Sequence, residues 1–171
     1  MKIPASWLVE NVDLLPSGGT ALDVACGRGR HALWLAAKGF HVQAIDRNAD
    51  AIAELIDEAK RLGLRVDAQV VDLETDPQPG LGDQQYDVVV CFNYLHRPLM
   101  PALQRAVRRG GKIIYETFTT RQAEHGHPRN PEFLLREGEL AALMAPLTIL
   151  RAREGHYDGR FIASIVAQRV T

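Results

Sequence analysis

Apolar residues recur along this chain in two alternating rhythms, one of short runs and one of helical spacing. Ala21–Ala25 is an apolar run broken only by Asp23, and it reads as a buried strand. A helix follows over about Arg30 to Lys38 and stops at Gly39, a C-cap glycine. His41–Asp46 alternates as a second strand. Asn48 then stands as an N-cap. Ile52, Leu55, Ile56, Ala59 and Leu62 keep helical spacing, with Asp50 in the first turn and Lys60 and Arg61 in the last, until Gly63 ends the helix. Val66–Leu73 is a third strand, and Asp76–Gly80 with Gly82 and Asp83 makes a loop. Tyr86–Phe92 is a strongly β fourth strand. Pro98 and Pro101 sit in the first turn of a helix expected to close at Arg108, Arg109 and Gly110. Lys112–Phe118 reads as a fifth strand, Thr119–Pro131 as a long polar loop and Glu139–Ala145 as a helix. Leu147–Arg153 and Phe161–Arg169 close the pattern as two strands a hairpin's length apart.

Strand and helix alternate until that closing pair. The predicted fold is therefore α/β: a doubly wound, mostly parallel seven-stranded sheet with one antiparallel strand and helices on both faces. Residues 1–171 read as a single domain, with 1–19 as a helical cover segment. Ligands of such sheets sit beyond the carboxyl ends of the strands, at the topological switch point. The residues just after each strand are thus the ones to examine for chemistry.

Composition narrows the classes. Hydrophobic residues make up 46% and charged residues 24% of 171, an ordinary globular balance that excludes intrinsic disorder. No apolar run approaches the ~20 residues of a bilayer span, and Met1-Lys2-Ile3-Pro4 carries no signal-type apolar stretch. The two cysteines, Cys26 and Cys91, are too few for a disulfide framework and read as buried small hydrophobes. A cytoplasmic protein without a membrane partner is expected. The net charge of -1 hides an asymmetry. Residues 1–96 carry eight Lys/Arg against fourteen Asp/Glu, and residues 97–171 carry twelve against seven. Either the second half is a solvated cationic surface, or it meets an anionic ligand or acidic partner.

After the first strand comes Asp23-Val-Ala25-Cys26-Gly27-Arg-Gly29-Arg-His-Ala32. Gly27 and Gly29 allow a tight turn and close approach of backbone to a ligand, and the helix that follows offers free N–H groups at its start. Asp46 lies at the end of the second strand, where a carboxylate accepts hydrogen bonds from ribose hydroxyls. A cofactor containing a nucleoside follows, of which two kinds compete. Gly27-x-Gly29-x-x-Ala32 satisfies the dinucleotide pattern and leaves an NAD(P)-binding oxidoreductase or sensor domain open. Asp23 argues the other way. A pyrophosphate gains little from a carboxylate nearby, whereas a sulfonium or α-amino group gains.

The chain resembles the Rossmann-like, class I S-adenosylmethionine-dependent methyltransferases. Leu22–Gly29 looks like their first motif, with Ala25 where many members have glycine, and Ile45-Asp46-Arg47-Asn48 looks like their ribose-binding motif. Asp72-Leu73 matches the position after the third strand, Tyr86–Tyr94 the fourth-strand motif, and Arg109–Tyr115 the turn into the fifth strand. Gly29-Arg30-x-x-Leu33-x-Leu35 looks most like the small tellurite-resistance, TehB-like, branch. The resemblance implies S-adenosyl-L-methionine as cofactor and S-adenosyl-L-homocysteine as product. It places Asp23, Ala25, Gly27 and Gly29 near the methionine part, Asp46 and Arg47 at the ribose, Asp72 and Leu73 at the adenine, and Asn93 near the transferring methyl. Asp23 has an alternative role as a loop clamp, and Asp72 and Asn93 have one as loop caps. Pro4–Val12, with Trp7, reads as a short amphipathic helix that helps cover the cofactor.

The acceptor is expected to be a small molecule, anionic or a soft nucleophile. Methyl transfer is an in-line displacement helped chiefly by alignment and desolvation, so a sulfur nucleophile needs no base while an oxygen or nitrogen nucleophile often does. His96 and Glu116 are candidate bases, and Arg97 and Arg129 candidate anion clamps. Tyr115 and the cluster His125-Gly-His127-Pro-Arg129-Asn130 lie at the same edge, and the Thr119–Pro131 stretch reads as a lid or specificity loop. Two histidines do not make a metal site, and none is expected. No proline precedes Cys91 and no Pro-Pro follows Asn93, which lowers the case for base methylation in nucleic acid. A non-catalytic partner in an RNA-modifying complex remains the other alternative, and the oligomeric state is open.

Overall fold

A computed structural model describes residues 2–75 and 80–171; most of the expected Asp76–Gly80 loop lies outside them. The elements are α1 (Ser6–Glu10), β1 (Gly19–Val24), α2 (Arg30–Ala37), β2 (Phe40–Asp46), α3 (Ala49–Leu62), β3 (Val66–Val70), β4 (Tyr86–Phe92), α4 (Met100–Ala106), β5 (Val107–Phe118), α5 (Glu139–Leu143), β6 (Thr148–Tyr157) and β7 (Arg160–Gln168). They build one seven-stranded sheet in the order β3-β2-β1-β4-β5-β7-β6. β7 alone runs against its neighbours, antiparallel to both β5 and β6.

The alternation of side chains along the strands sorts the core into two layers. Ala21, Val42, Val88, Val90 and Ile114 point to one face, where Trp7 and Leu8 of α1 pack with Leu35 of α2 and Leu55 of α3. Leu22, Val24, Val89, Ile113 and Ile165 point to the other, against Leu103 of α4 and Leu140 of α5. β4 is buried on both faces, as befits a central parallel strand. Caps set the helix ends. Asn48 Oδ1 accepts the Ala51 N–H at 3.1 Å to start α3, and Gly63 ends it at φ 65°.

Several boundaries differ from the sequence reading: β1 starts at Gly19, β5 at Val107, and β6 runs on to Tyr157, and two of the differences bear on the site. The helix expected to close at Gly110 ends at Ala106, because Val107 already pairs with Tyr86 of β4. The register then jumps to Val88 opposite Lys112, and Arg108 reaches back to Asp87 at 3.2 Å and to the hydroxyl of Thr20 at 3.0 Å. The third strand stops at Val70 rather than Leu73, leaving Val71–Leu73 free to turn into the binding edge.

The charge asymmetry closes in part inside the molecule. Arg108 pairs with Asp87, Arg151 with Asp13 and Arg153 with Glu10, each joining a cation of the second half to an acid of the first. These arginines stitch sheet and N-terminal segment together.

Candidate active site

The strand order reverses between β1 and β4, and their carboxyl ends open onto a crevice. Past Val24 the chain turns through three left-handed residues, Ala25 (φ 53°), Gly27 (φ 54°) and Gly29 (φ 73°). The Cys26 N–H donates to the Ile45 carbonyl at 3.0 Å, which draws the loop across the end of β2. Ala25 follows the backbone path a glycine would take, at the roughly 1–2 kcal/mol that left-handed geometry costs an L side chain.

Asp46 faces this loop. Its Oδ2 accepts the Gly27 N–H at 2.8 Å and its Oδ1 accepts the Asn48 N–H at 2.8 Å. The two bonds fix the carboxylate and leave lone pairs for a ligand. Asp46 lines a cleft of about 260 Å³ together with Ala25, Arg47, Asp72, Leu73 and Asn93. Six residues expected at a nucleoside cofactor thus share one wall. Asp72 also holds its own turn, accepting the Glu74 N–H at 3.0 Å. Asn93, at φ 58°, donates its N–H to the Glu116 carbonyl at 2.9 Å. The remaining lining is mostly apolar and aromatic, with Val71, Tyr94, Leu95, Phe118, Pro128 and Phe133, joined by Glu74 and Thr117.

Asp23 lies beneath the loop and off the cleft lining. It is 1% exposed and accepts the Ala32 N–H at 2.9 Å, clamping the first turn of α2. Burial pushes its carboxyl up to about 7, opposed by that N–H and by Arg30. A second depression continues the cleft through the shared Ala25 and Asn93, with Gly27, Arg30, His31 and Lys2 around it. His31 went unremarked in the sequence. Its ring stacks on Phe92 at 4.2 Å and its Nε2 accepts the Ala5 N–H at 3.2 Å, docking the N-terminal segment. Burial and Arg30 hold its pKa down at about 3, so the ring is a neutral acceptor.

The candidate acceptor residues do not converge. His96 is half-buried, precedes the 3-10 turn Arg97–Leu99 without a side-chain cap bond and is off the cleft lining; Arg129 is exposed beside Pro128. Glu116 is fully buried. Its carboxylate accepts from Ser164 Oγ at 2.7 Å, from Arg160 at 3.3 Å and from Arg153 at 3.5 Å, and it does not line the cleft. A carboxylate committed to two guanidiniums and a hydroxyl is badly placed to act as a base. Arg97, expected to clamp a ligand, clamps protein instead: it pairs with both oxygens of Glu139 at 2.5 and 2.9 Å and donates to the Glu132 and Leu134 carbonyls. Tyr115 is buried and donates its hydroxyl to the Tyr94 carbonyl. His125 packs on Phe161, and His127 is exposed. Cys26 and Cys91 are buried free thiols whose pKa values burial raises, which makes them unreactive at neutral pH.

The Thr119–Pro131 stretch is tied to the sheet. Gln122 accepts the Phe161 N–H at 2.9 Å and donates to the His127 carbonyl at 3.1 Å, and Thr119 bridges Leu135. Arg97 fastens the far end of this wall, next to Phe133. Its partner Glu139 is held down at about 2, chiefly by the Arg97 hydrogen bonds. Arg97→Gln is accordingly expected to lower the melting temperature and open residues 128–138 to limited proteolysis. The depressed Glu139 pKa makes the latch complete above the ordinary carboxylate range and lost as pH falls through about 2. Unchanged proteolysis of the variant at pH 7 would remove the latch assignment.

The sequence reading missed Arg160, which donates to Asn93 Oδ1 at 3.1 Å at the end of the cleft. The signal was the Asp158-Gly159 pair between the two closing strands. Both residues are left-handed and form a two-residue hairpin turn that returns Arg160 to the binding edge.

Comparison with known proteins adds to this geometry. Residues 21–111 match the family model of a methyltransferase domain. The chain is 30% identical over 123 residues to a ubiquinone biosynthesis O-methyltransferase of Paraburkholderia xenovorans, covering 68% of this chain and 50% of that one. It is 28% identical over 141 residues to Hemagglutinin 1 of Eikenella corrodens, covering 78% and 45%. The chain spans about half the length of these curated relatives. Among solved structures, TehB from Haemophilus influenzae superposes with a TM-score of 0.79 at 20% identity, over 98% of this chain and 62% of that one. A SAM-dependent methyltransferase from Methanosarcina mazei superposes with a TM-score of 0.76 at 19% identity, over 99% of both. At these identities the structures share the fold.

Proposed function

This chain belongs to the methyltransferase-domain family, and we propose that it transfers a methyl group from S-adenosylmethionine to a small-molecule acceptor that is an anion or a soft nucleophile. The observation that carries the reading is the shared wall of the cleft, where Asp46, Asp72 and Asn93 follow one another from β2 to β4. Asp46 suits a ribose diol, since its oxygens are oriented by N–H donors and keep free lone pairs. Gly27 has nothing within 4 Å of where a side chain would begin, so a ligand can lie against its backbone. Asp72 and Leu73 would meet the adenine, and Asn93 the reacting end.

When bound, S-adenosylmethionine supplies an electrophilic methyl on a sulfonium. The protein's part is alignment and exclusion of water. Apart from Asp46 and Asp72, which the cofactor takes in this reading, the carboxylate among the cleft residues is Glu74, which accepts from the Tyr94 hydroxyl at 3.5 Å, and Leu95, Thr117, Phe118 and Pro128 around Asn93 supply no base. Burial and nearby Glu74 raise the Tyr94 pKa, so that hydroxyl is a poor base. An acceptor that arrives already nucleophilic, such as a thiolate, suits such a site, and Arg160 beside Asn93 favours one carrying negative charge. Nucleic acid fits less well, because Arg97, Arg108, Arg151 and Arg153 are committed to carboxylates within the fold. Residues 1–171 would act as one methyltransferase domain, with 1–19 as its cover. Among the described residues no helix is long and apolar enough to cross a membrane, and the cytoplasm is the compartment we infer.

Calorimetric titration with S-adenosylmethionine, S-adenosylhomocysteine and NAD tests the reading. Micromolar binding of the first two and none of NAD is expected. Asp46→Ala removes the diol acceptor and releases the Gly27 and Asn48 N–H groups, so it should weaken binding about tenfold to a hundredfold. Binding of NAD alone would end the methyltransferase proposal.

A further inference from the structure

The N-terminal segment and the acceptor end of the cleft are joined by one continuous run of polar contacts. Its centre is Glu116, which has no exposed surface. One oxygen, Oε2, accepts from Ser164 Oγ at 2.7 Å and Arg153 at 3.5 Å; the other, Oε1, accepts from Arg160 at 3.3 Å. Arg160 spends a second guanidinium nitrogen on Asn93 Oδ1 at 3.1 Å. Arg153 lies between the rings of Trp7 and Tyr157, 4.7 and 4.3 Å from their centroids. It also donates to Ser6 Oγ at 3.4 Å and to Glu10 at 3.3 Å. Ser6 Oγ in turn donates to Asp158 at 2.5 Å, in the turn that immediately precedes Arg160. The N-terminal segment therefore braces the hairpin tip at two places, and the hairpin carries Arg160 to the cleft.

A buried carboxylate between two guanidiniums is a poor device for stability, since desolvation consumes most of the attraction. It is a good device for geometry, because each cation loses a buried carboxylate acceptor if it turns away. We propose that Glu116 is a positioning residue: it holds Arg160 onto Asn93 at the acceptor end of the cleft, and through Arg153 it makes that placement depend on the docked N-terminal segment. The catalytic consequence rests on the methyltransferase reading, whereas the placement itself is measurable without it.

The experiment uses the full chain with S-adenosylhomocysteine and follows the Arg160 guanidinium N–H signals by nitrogen-15 NMR. The variants are Glu116→Gln, which keeps the shape and removes the charge, and Arg153→Gln. Arg151→Gln is the control, since Arg151 ties the same segment through Asn11 and Asp13 outside the run. Exchange of the Arg160 protons with water should speed up about tenfold or more in the first two variants and stay unchanged in the control. Affinity for S-adenosylhomocysteine should stay within about twofold throughout. With 2-mercaptobenzoate as the acceptor probe, KM should rise about tenfold in Glu116→Gln, with a smaller change in kcat. An Arg160 signal that keeps its wild-type shift and exchange in Glu116→Gln overturns the proposal, as does a parallel loss of S-adenosylhomocysteine affinity, which marks a merely structural role. If the wild type binds S-adenosylhomocysteine but methylates no thiol, the acceptor reading fails and the NMR result still decides the placement.

Discussion

Gly29→Ala should lose about 2–5 kcal/mol of folding stability, while Gly27→Ala should lose only about 1–2 kcal/mol of it and, besides, the cofactor. The two glycines share a loop and a left-handed backbone but not a reason. At Gly29 (φ 73°) a Cβ would fall 2.3 Å from Leu55 Cδ1, 2.6 Å from Cδ2 and 2.9 Å from Cγ. Leu55 is fully buried in the α3 layer, so the whole side chain would have to move against close-packed neighbours. Backbone strain adds roughly 1–2 kcal/mol and overpacking roughly 1–3 kcal/mol. At Gly27 (φ 54°) only the strain applies, because a Cβ meets nothing within 4 Å. That open space is the floor of the depression continuous with the cleft, where a methyl would stand in the ligand's path. Urea melts with and without S-adenosylhomocysteine separate the two effects. Equal destabilisation by both substitutions, or wild-type affinity in Gly27→Ala, would falsify this division of roles.

The second large effect has an unusual sign. Asp23→Asn is expected to stabilise the unliganded protein at pH 8. Burial holds the Asp23 carboxyl at about 7, whereas an unfolded aspartate titrates near 4. Between those values the folded state binds the extra proton, so stability falls as pH rises through the window. Above pH 7 the wild type bears a cost of up to about 4 kcal/mol for a buried charge, and an amide avoids it while keeping an acceptor for the Ala32 N–H. The variant should melt higher than the wild type at pH 8 and no higher at pH 4. A cationic methionine end near the loop would repay the wild type, so added S-adenosylhomocysteine should narrow or reverse the gap, and wild-type affinity should rise with pH through about 7. A variant that melts lower than the wild type at pH 8 would show that Asp23 is a stabilising clamp and carries no stored cost.

The parts of this molecule that could be read from the sequence are those whose physics is local. Asn48 and Gly63 bound α3 through bonds within a few residues of themselves, and the expected boundaries hold. Asp46 was legible because one strand–helix–strand unit fixes where the acid after the second strand must stand. The end of α4 was not, since Val107 leaves the helix to pair with Tyr86, a contact that Arg108 to Gly110 do not announce. The acceptor side was the hardest. Arg160 meets Asn93 and Glu116 across 67 and 44 residues of sequence, and the Asp158-Gly159 turn beside it announces a hairpin but not those partners. Glu116 looked like a base because it ends a strand at the binding edge; only the packing of β7 beside it shows two guanidiniums and a serine already there.

The docking of α1 has a consequence for the order of folding. Trp7 donates its indole N–H to the Ile165 carbonyl, and Ser6 bonds to Asp158, across 158 and 152 residues. These contacts join the first helix to the last hairpin, so its docking on α2 and the earlier strands is completed only when β7 has inserted beside β5. Closing so long a loop is entropically costly and is deferred to a late step. A ribosome-bound chain that has not yet exposed its final strand would thus hold α1 only through its contacts with α2 and the earlier strands, with the Trp7 indole N–H still without its acceptor.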